Sequence, residues 1–243
     1  MTPDELDLRW MRACAILEQE AGPEPDAVGA SLSPRALSCA IALVNAFEAK
    51  RLLELGSGSS TAAFASLCQT RNCSLDSVEH DERYLERTKV LLGNSGVDGL
   101  VRVHHAPIRV IRAGGYVGLG YDLRQTLTHG PFDFAIIDGP PALGIGRFMT
   151  LPSIWPHLAL GAIVLLDDAG RDLLEGVWLH QWSALMKDSL RMHVHRGYAK
   201  GLALLLKVGP SRPLPFKLAV ARQEALTALR WVVHRAVTRD DSA

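Results

Sequence analysis

The sequence carries no surplus of either charge: 26 Lys+Arg offset 26 Asp+Glu over 243 residues. That balance argues against nucleic acid as the main target, although a local basic patch survives such averaging. No apolar run is long enough to span a membrane. One such run, Gly161-Ala162-Ile163-Val164-Leu165-Leu166, has the length of a buried strand and ends in two aspartates. The first residues, Met1-Thr2-Pro3-Asp4-Glu5-Leu6-Asp7, lack the basic-then-apolar order of an export signal, so a cytoplasmic protein is expected. Cysteine is scarce. Of the four (Cys14, Cys39, Cys68, Cys73), Cys68 and Cys73 are close, but no second pair at metal-ligand spacing accompanies them. Structural zinc is therefore disfavoured and free thiols are expected. There is no internal repeat and no low-complexity segment.

What is present fits one α/β domain with some decoration: hydrophobic residues make up 48% of the chain, enough for a packed core. Residues 1–32 read as a helical lead-in, with Leu6, Trp10, Ala13 and Leu17 at helical spacing and Gly22-Pro23-Glu24-Pro25 as its stop. A helix opens at Ser33-Pro34 with Leu37, Ile41, Val44 and Phe47 on its apolar stripe. From Arg51 to Val208 short apolar runs alternate with helical stretches. Arg51–Leu55, Ser74–Glu79, Val101–His105, Phe132–Asp138 and Ala162–Asp167 read as strands, with helices over 60–70, 81–94, 147–158 and 172–188. Met192–Arg196 and Leu202–Val208 flank a short turn and read as a closing hairpin. The pattern predicts a doubly wound, mostly parallel sheet with helices on both faces.

Two segments stand apart. Residues 107–131 hold Gly114, Gly115, Gly118, Gly120 and Gly130 around Tyr116 and Tyr121, and read as a long loop beside the sheet, a candidate lid. Residues 209–243 pass three prolines into a helix with Leu226, Leu229, Val233 and Val237 on one face and arginines on the other. Such a helix docks on the domain or on a second subunit, making a homo-oligomer, or lies on a membrane surface.

The chemistry starts at Glu54-Leu55-Gly56-Ser57-Gly58-Ser59-Ser60-Thr61, where a buried strand ends in a glycine turn that opens a helix. Glycines let a ligand approach the backbone, and helix-start amides hold anionic groups. A dinucleotide fingerprint needs glycine where this chain has Thr61, which disfavours NAD. One strand later, Glu79 precedes His80 and Asp81. A carboxylate at that strand end suits the two hydroxyls of a ribose. Together these signals predict a nucleoside-binding site.

Glu54-Leu55-Gly56-Ser57-Gly58 resembles motif I of the class I S-adenosylmethionine-dependent methyltransferases, and Glu79 falls at their ribose-binding acid. Phe132–Pro141 resembles their fourth strand, Gly161–Asp168 their fifth, and residues 192–208 their reversed final strand. The resemblance covers about residues 35–208 and implies the seven-stranded methyltransferase sheet, a transferase activity and S-adenosylmethionine as cofactor. Asp-Gly-Pro-Pro at 138–141 and Asp-Asp-Ala-Gly-Arg at 167–171 look closest to a bacterial O-methyltransferase-like group that includes sugar (macrocin) methyltransferases. The implied cofactor residues are Glu54, Gly56, Ser57, Gly58, Ser60, Thr61, Glu79, His80, Ala106 and Asp138. The fold often has an acid after its third strand, where this chain reads His105-Ala106-Pro107.

A small-molecule hydroxyl acceptor, on a sugar or natural product, must also lose a proton. Two solutions are visible. Asp138, Asp167 and Asp168 end adjacent strands, and their carboxylates would repel unless a hard cation such as Mg²⁺ relieved them and acidified the acceptor. Metal-dependent relatives place acids at these positions. Otherwise Asp138 contacts cofactor, Asp167 caps a helix and Asp168 is solvated. The alternative base is a histidine, with His105 best placed among His80, His104, His105, His180, His193 and His195. Arg147 and Arg171 follow the acidic strand ends and suit either a substrate anion or a salt bridge to the aspartates. Tyr116 and Tyr121 suit stacking on adenine or substrate, or anchoring of their loop. The competing readings are a nucleotide-dependent oxidoreductase on a similar sheet and a non-catalytic binding module.

Overall fold

A computed structural model describes residues 1–22, 32–97, 99, 101–140, 147–170, 175–186, 188–198 and 200–210. Helix α1 (Pro3–Glu20) starts at a capping box: Glu5 N–H donates to Thr2 Oγ1 at 3.2 Å, and Thr2 N–H donates to Glu5 Oε2 at 2.6 Å. Helix α2 (Pro34–Ala46) is capped by Ser33, whose Oγ accepts from Ala36 N–H at 3.2 Å. Its deepest face is Ala36, Cys39, Ala40, Leu43 and Val44 rather than the larger stripe, since small residues let the helix lie closest to the sheet.

The sheet comprises β1 (Arg51–Leu55), β2 (Ser74–Glu79), β3 (Val101–His105), β6 (Phe132–Ile137), β7 (Leu158–Asp167), β8 (Leu190–His195) and β9 (Leu202–Lys207). Its order is β3-β2-β1-β6-β7-β9-β8, parallel from β3 to β7, with β9 antiparallel to both β7 and β8. Central strands carry unbroken apolar runs because helices cover both faces. Leu53, Ala135, Val164 and Leu205 point into one core, beneath α5 (Arg147–Ile154) and α6 (Glu175–Leu185). Their neighbours Leu52, Phe134, Ile163 and Leu204 point into the other, beneath α1, α2 and α3 (Ser59–Arg71). Helix α4 (Glu82–Ser95) packs beside α3.

Helix α1 is part of this second core. Arg9 Nε donates to Gly161 O at 2.6 Å, and Tyr198 Oη donates to Leu17 O at 2.8 Å.

Residues 107–131 are not a long loop. They form a separate antiparallel pair, β4 (Ile108–Ala113) and β5 (Tyr116–Tyr121), followed by a 3₁₀ turn over Thr126–His129. Gly114 and Gly115 take φ of +57° and +83°, the positive values that a two-residue hairpin turn requires at both positions.

The cysteine expectation is also corrected. Cys68 and Cys73 form a disulfide, and Cys14 and Cys39 are free. Asn72 caps α3 in the left-handed conformation and folds the chain back, bringing the two Cα atoms to 4.5 Å. Among the described residues no helix is long and apolar enough to cross a membrane. Arg171 and the expected C-terminal helix, with its proposed oligomer contact, lie outside the described residues.

Candidate active site

The chain leaves β1 through Gly56-Ser57-Gly58 and enters α3. Gly56 has φ +106°, and a Cβ there would stand 2.8 Å from the backbone nitrogen of Gly139. Only glycine lets the turn after β1 lie this close to the turn after β6. A Cβ on Gly58 would meet nothing within 4 Å, so the turn borders open space.

Glu54 lies beneath the turn, 1% exposed. Ser60 Oγ donates to its Oε1 at 2.6 Å, while Thr61 Oγ1 and Ser77 Oγ each donate to Oε2 at 2.6 Å. Gly58 N–H donates to Thr61 Oγ1 at 2.9 Å. Burial pushes the Glu54 carboxyl above the usual range, against the pull of the three hydroxyls. Glu54, Ser60 and Thr61 therefore brace the turn from below, with their polar side-chain atoms engaged inside the protein. Ser77 completes the brace and was missed in the sequence, where it reads as one more strand residue.

Glu79 ends β2. Its Oε1 accepts from the N–H groups of His80 and Asp81 at 2.7 and 2.9 Å, and its Oε2 lies 3.5 Å from Ser57 Oγ. One oxygen fixes the following loop and the other faces the glycine turn, an acceptor placed to suit a ribose diol. Ala106 continues the β2–β3 pairing by donating to Glu79 O at 2.7 Å.

Tyr121 ends β5 against this crevice. Its ring meets His80 edge-on at 6.0 Å, its hydroxyl has no hydrogen-bond partner among the described residues, and a Cβ on Gly139 would collide with it. Burial first, then the charge of Glu79, raises its phenol well above the usual range; Asp138 and Glu54 add to this and Arg147 opposes it. Tyr116 instead anchors the hairpin, edge-on to Phe148 at 5.4 Å.

The aspartates do converge. Asp138 follows β6, Asp167 ends β7 and Asp168 comes next, and one carboxylate oxygen from each lies within 4.8 Å of the others. Burial first, then neighbouring Asp167, pushes the Asp138 carboxyl up; burial and then Asp168 do the same to Asp167. Two cations already share this space. Arg147, 2% exposed, donates from Nη1 to Asp168 Oδ2 at 2.9 Å, from Nη2 to Asp138 O at 2.6 Å and from Nε to Pro140 O at 2.9 Å. The guanidinium clamps two strand ends, in line with the second of its two sequence readings, a salt bridge to the aspartates. Lys200 Nζ lies 3.9 Å from Asp167 Oδ2 and 4.0 Å from Asp168 Oδ1. Nothing in the sequence around Lys200 pointed here except Gly201, which has φ +73° and folds the turn back onto the acids.

A divalent ion does not fit this donor set. Its spacing suits a cation, but the Lys200 ammonium stands within 4.0 Å of both Asp167 and Asp168, and the Arg147 guanidinium binds Asp168, so a divalent ion would meet positive charge on arrival.

Apart from His80, which borders Glu79 and Tyr121, the candidate histidines lie elsewhere. His105 sits at the sheet edge with Nε2 3.1 Å from His80 O. Three strand spacings, roughly 14 Å, separate its strand from that of Asp138, so it is not placed to act as a base there. His193 and His195 bind Glu18 at 3.0 and 2.8 Å, His104 binds Asp76 at 2.7 Å, and His180 is exposed on α6.

Residues 53–169 match a family described as a methyltransferase domain. The matched segment, just under half of the chain, holds the glycine turn, Glu79 and all three aspartates. No curated protein matches the chain. The chain shares its fold with an O-methyltransferase from Bacillus cereus solved with S-adenosylhomocysteine, at 15% identity, TM-score 0.56, and coverage of 85% of this chain and 92% of that one. It is similar to the O-methyltransferase TomG from Streptomyces achromogenes, involved in tomaymycin synthesis and solved with S-adenosylmethionine, at 19% identity, TM-score 0.56, and coverage of 83% and 90%. It is also similar to a Podospora anserina methyltransferase bound to S-adenosylhomocysteine, at 19% identity, TM-score 0.55, and coverage of 86% and 89%. The crevice suits that cofactor through Glu79, the open glycine turn and the unpartnered Tyr121 hydroxyl.

Proposed function

We propose that this chain is a class I S-adenosylmethionine-dependent methyltransferase that transfers a methyl group to a hydroxyl oxygen of a small molecule, a sugar or another natural product, and that Asp138 takes up the hydroxyl proton. One observation carries the reading. The Gly56 turn abuts Gly139, so the ribose-binding acid Glu79 and the candidate base Asp138 border one crevice, with the Tyr121 hydroxyl subject to the charge of both.

S-adenosylmethionine supplies a methyl group that is already activated, so the protein has only to align the partners and remove a proton. Glu79 accepts from the ribose hydroxyls, and Gly58 leaves room for the cofactor to pass. Burial raises the proton affinity of Asp138 above that of an ordinary carboxylate. Bound there, the cofactor would supply the methyl to the acceptor oxygen, and the Asp138 carboxylate would take up the hydroxyl proton. The oxygen specificity is supported by the O-methyltransferases that share the fold, one of which serves natural-product synthesis. The catalytic unit is residues 33–208, with α1 docked on it.

Incubating the protein with S-adenosylmethionine and a panel of glycosides and polyketides, read by mass spectrometry, tests this. A single added methyl on hydroxyl acceptors, lost in Asp138→Ala, is expected. Methyl transfer confined to amines or thiols would overturn the assignment to oxygen.

A further inference from the structure

We propose that the Lys200 ammonium takes the place of a divalent cation among Asp138, Asp167 and Asp168, so that this active site works with charge built into the chain. The proposal rests on the methyl-transfer reading for its catalytic meaning.

Two observations carry it. The first is position. Lys200 Nζ stands 3.9 Å from Asp167 Oδ2 and 4.0 Å from Asp168 Oδ1, between the strand-end carboxylates. An ion bridging those two oxygens would sit in the immediate repulsive field of the ammonium, and Arg147 already engages the other oxygen of Asp168.

The second is how Lys200 is held. The turn between β8 and β9 folds onto the segment after β7: Gly170 N–H donates to Lys200 O at 2.9 Å, and Ala169 N–H donates to Gly201 O at 3.0 Å. A Cβ on Gly170 would meet Lys200 O at 2.9 Å, so the two backbones touch only because small residues face each other. The lysine is thus placed by backbone pairing rather than by a swinging loop.

Lys200 is on this account a positioning residue, holding positive charge beside Asp167 and Asp168.

Mn²⁺ titration of the full chain, without cofactor and read by electron paramagnetic resonance, tests the proposal on wild type, Lys200→Arg and Lys200→Met. Wild type and Lys200→Arg should bind no Mn²⁺ at the aspartates. Lys200→Met should gain a site at least about tenfold tighter, from removal of one opposing charge next to it, and adding Asp167→Asn should abolish that gain. Lys200→Gln serves as a second neutral variant where methionine disturbs the turn. Wild-type Mn²⁺ binding that Asp167→Asn removes would overturn the proposal, as would neutral variants that gain none. S-adenosylhomocysteine calorimetry on the same proteins keeps the two readings apart. Its failure would sink methyl transfer while leaving the ion titration readable.

Discussion

The Thr61 hydroxyl donates to Glu54 Oε2 at 2.6 Å and accepts from Gly58 N–H at 2.9 Å. A glycine at this position, as in the dinucleotide fingerprint, would make neither bond. Here the start of α3 is braced by a side chain, and the glycine turn takes its shape from below. Thr61→Val keeps the volume and removes both bonds, leaving a buried carboxylate short of a donor. It should cost about 1–3 kcal/mol of stability, read as a lower urea midpoint with an unchanged slope.

Gly56→Ala probes the same turn from above. With φ at +106° and the Gly139 backbone 2.8 Å from the new Cβ, the side chain has neither conformation nor room. Cofactor binding should fall below detection by calorimetry while circular dichroism stays native. Gly58→Ala, whose Cβ meets no protein atom, should fold normally and weaken binding only through contact with the ligand. An equal effect of the two substitutions would contradict this account of the turn.

Most of the fold was legible, because a parallel sheet covered on both faces requires long apolar runs between amphipathic helices, and runs such as Phe132–Ile137 and Leu158–Asp167 permit little else. The site was legible where backbone geometry restricts residue type, as at Gly56, or where a strand end forces exposure to a crevice, as at Glu79 and Asp138. The rest was hidden for physical reasons. Five glycines between residues 107 and 131 read as freedom, yet two of them form the hairpin turn and Tyr116 fixes that hairpin to Phe148. Glu54 reads as a ligand by motif, while its burial gives it a bracing role that only three-dimensional neighbours reveal. Lys200 lies far from the aspartates in sequence and reaches them only because β9 inserts beside β7.

Asp76 should shape the acid limit of stability. Burial alone would raise its carboxyl, but hydrogen bonds from Arg102, His104 and His129 outweigh burial and hold it well below the usual range. A depressed carboxyl contributes stability that is full above the unfolded value, about 3.9, and is lost as pH falls through the folded value. Asp76→Asn should therefore lower the urea midpoint at pH 7, and the gap from wild type should narrow as pH drops below about 4. A gap independent of pH would show that the charge contributes nothing.

Asp138 has the opposite sign. Its carboxyl is raised by burial and by Asp167, so ionising it costs the folded state stability. The folded protein should lose stability as pH rises from the ordinary carboxylate range, about 4, through the raised value. Asp138→Asn should therefore stabilise the cofactor-free protein, more at pH 8 than at pH 5, by about 2–4 °C in Tm per kcal/mol recovered. The same substitution should abolish turnover. A variant less stable than wild type at pH 8 would mean that Asp138 is held ionised by its neighbours.

The central claim is that the crevice between Gly56, Glu79 and Asp138 binds an adenosylmethionine-type cofactor, and calorimetry with S-adenosylhomocysteine tests it most directly. Wild type should bind S-adenosylhomocysteine and not NAD. Glu79→Ala should bind about 10- to 100-fold more weakly, for loss of charge-assisted bonds to the ribose. Binding of NAD in its place, or S-adenosylhomocysteine affinity unchanged by Glu79→Ala, would contradict the account.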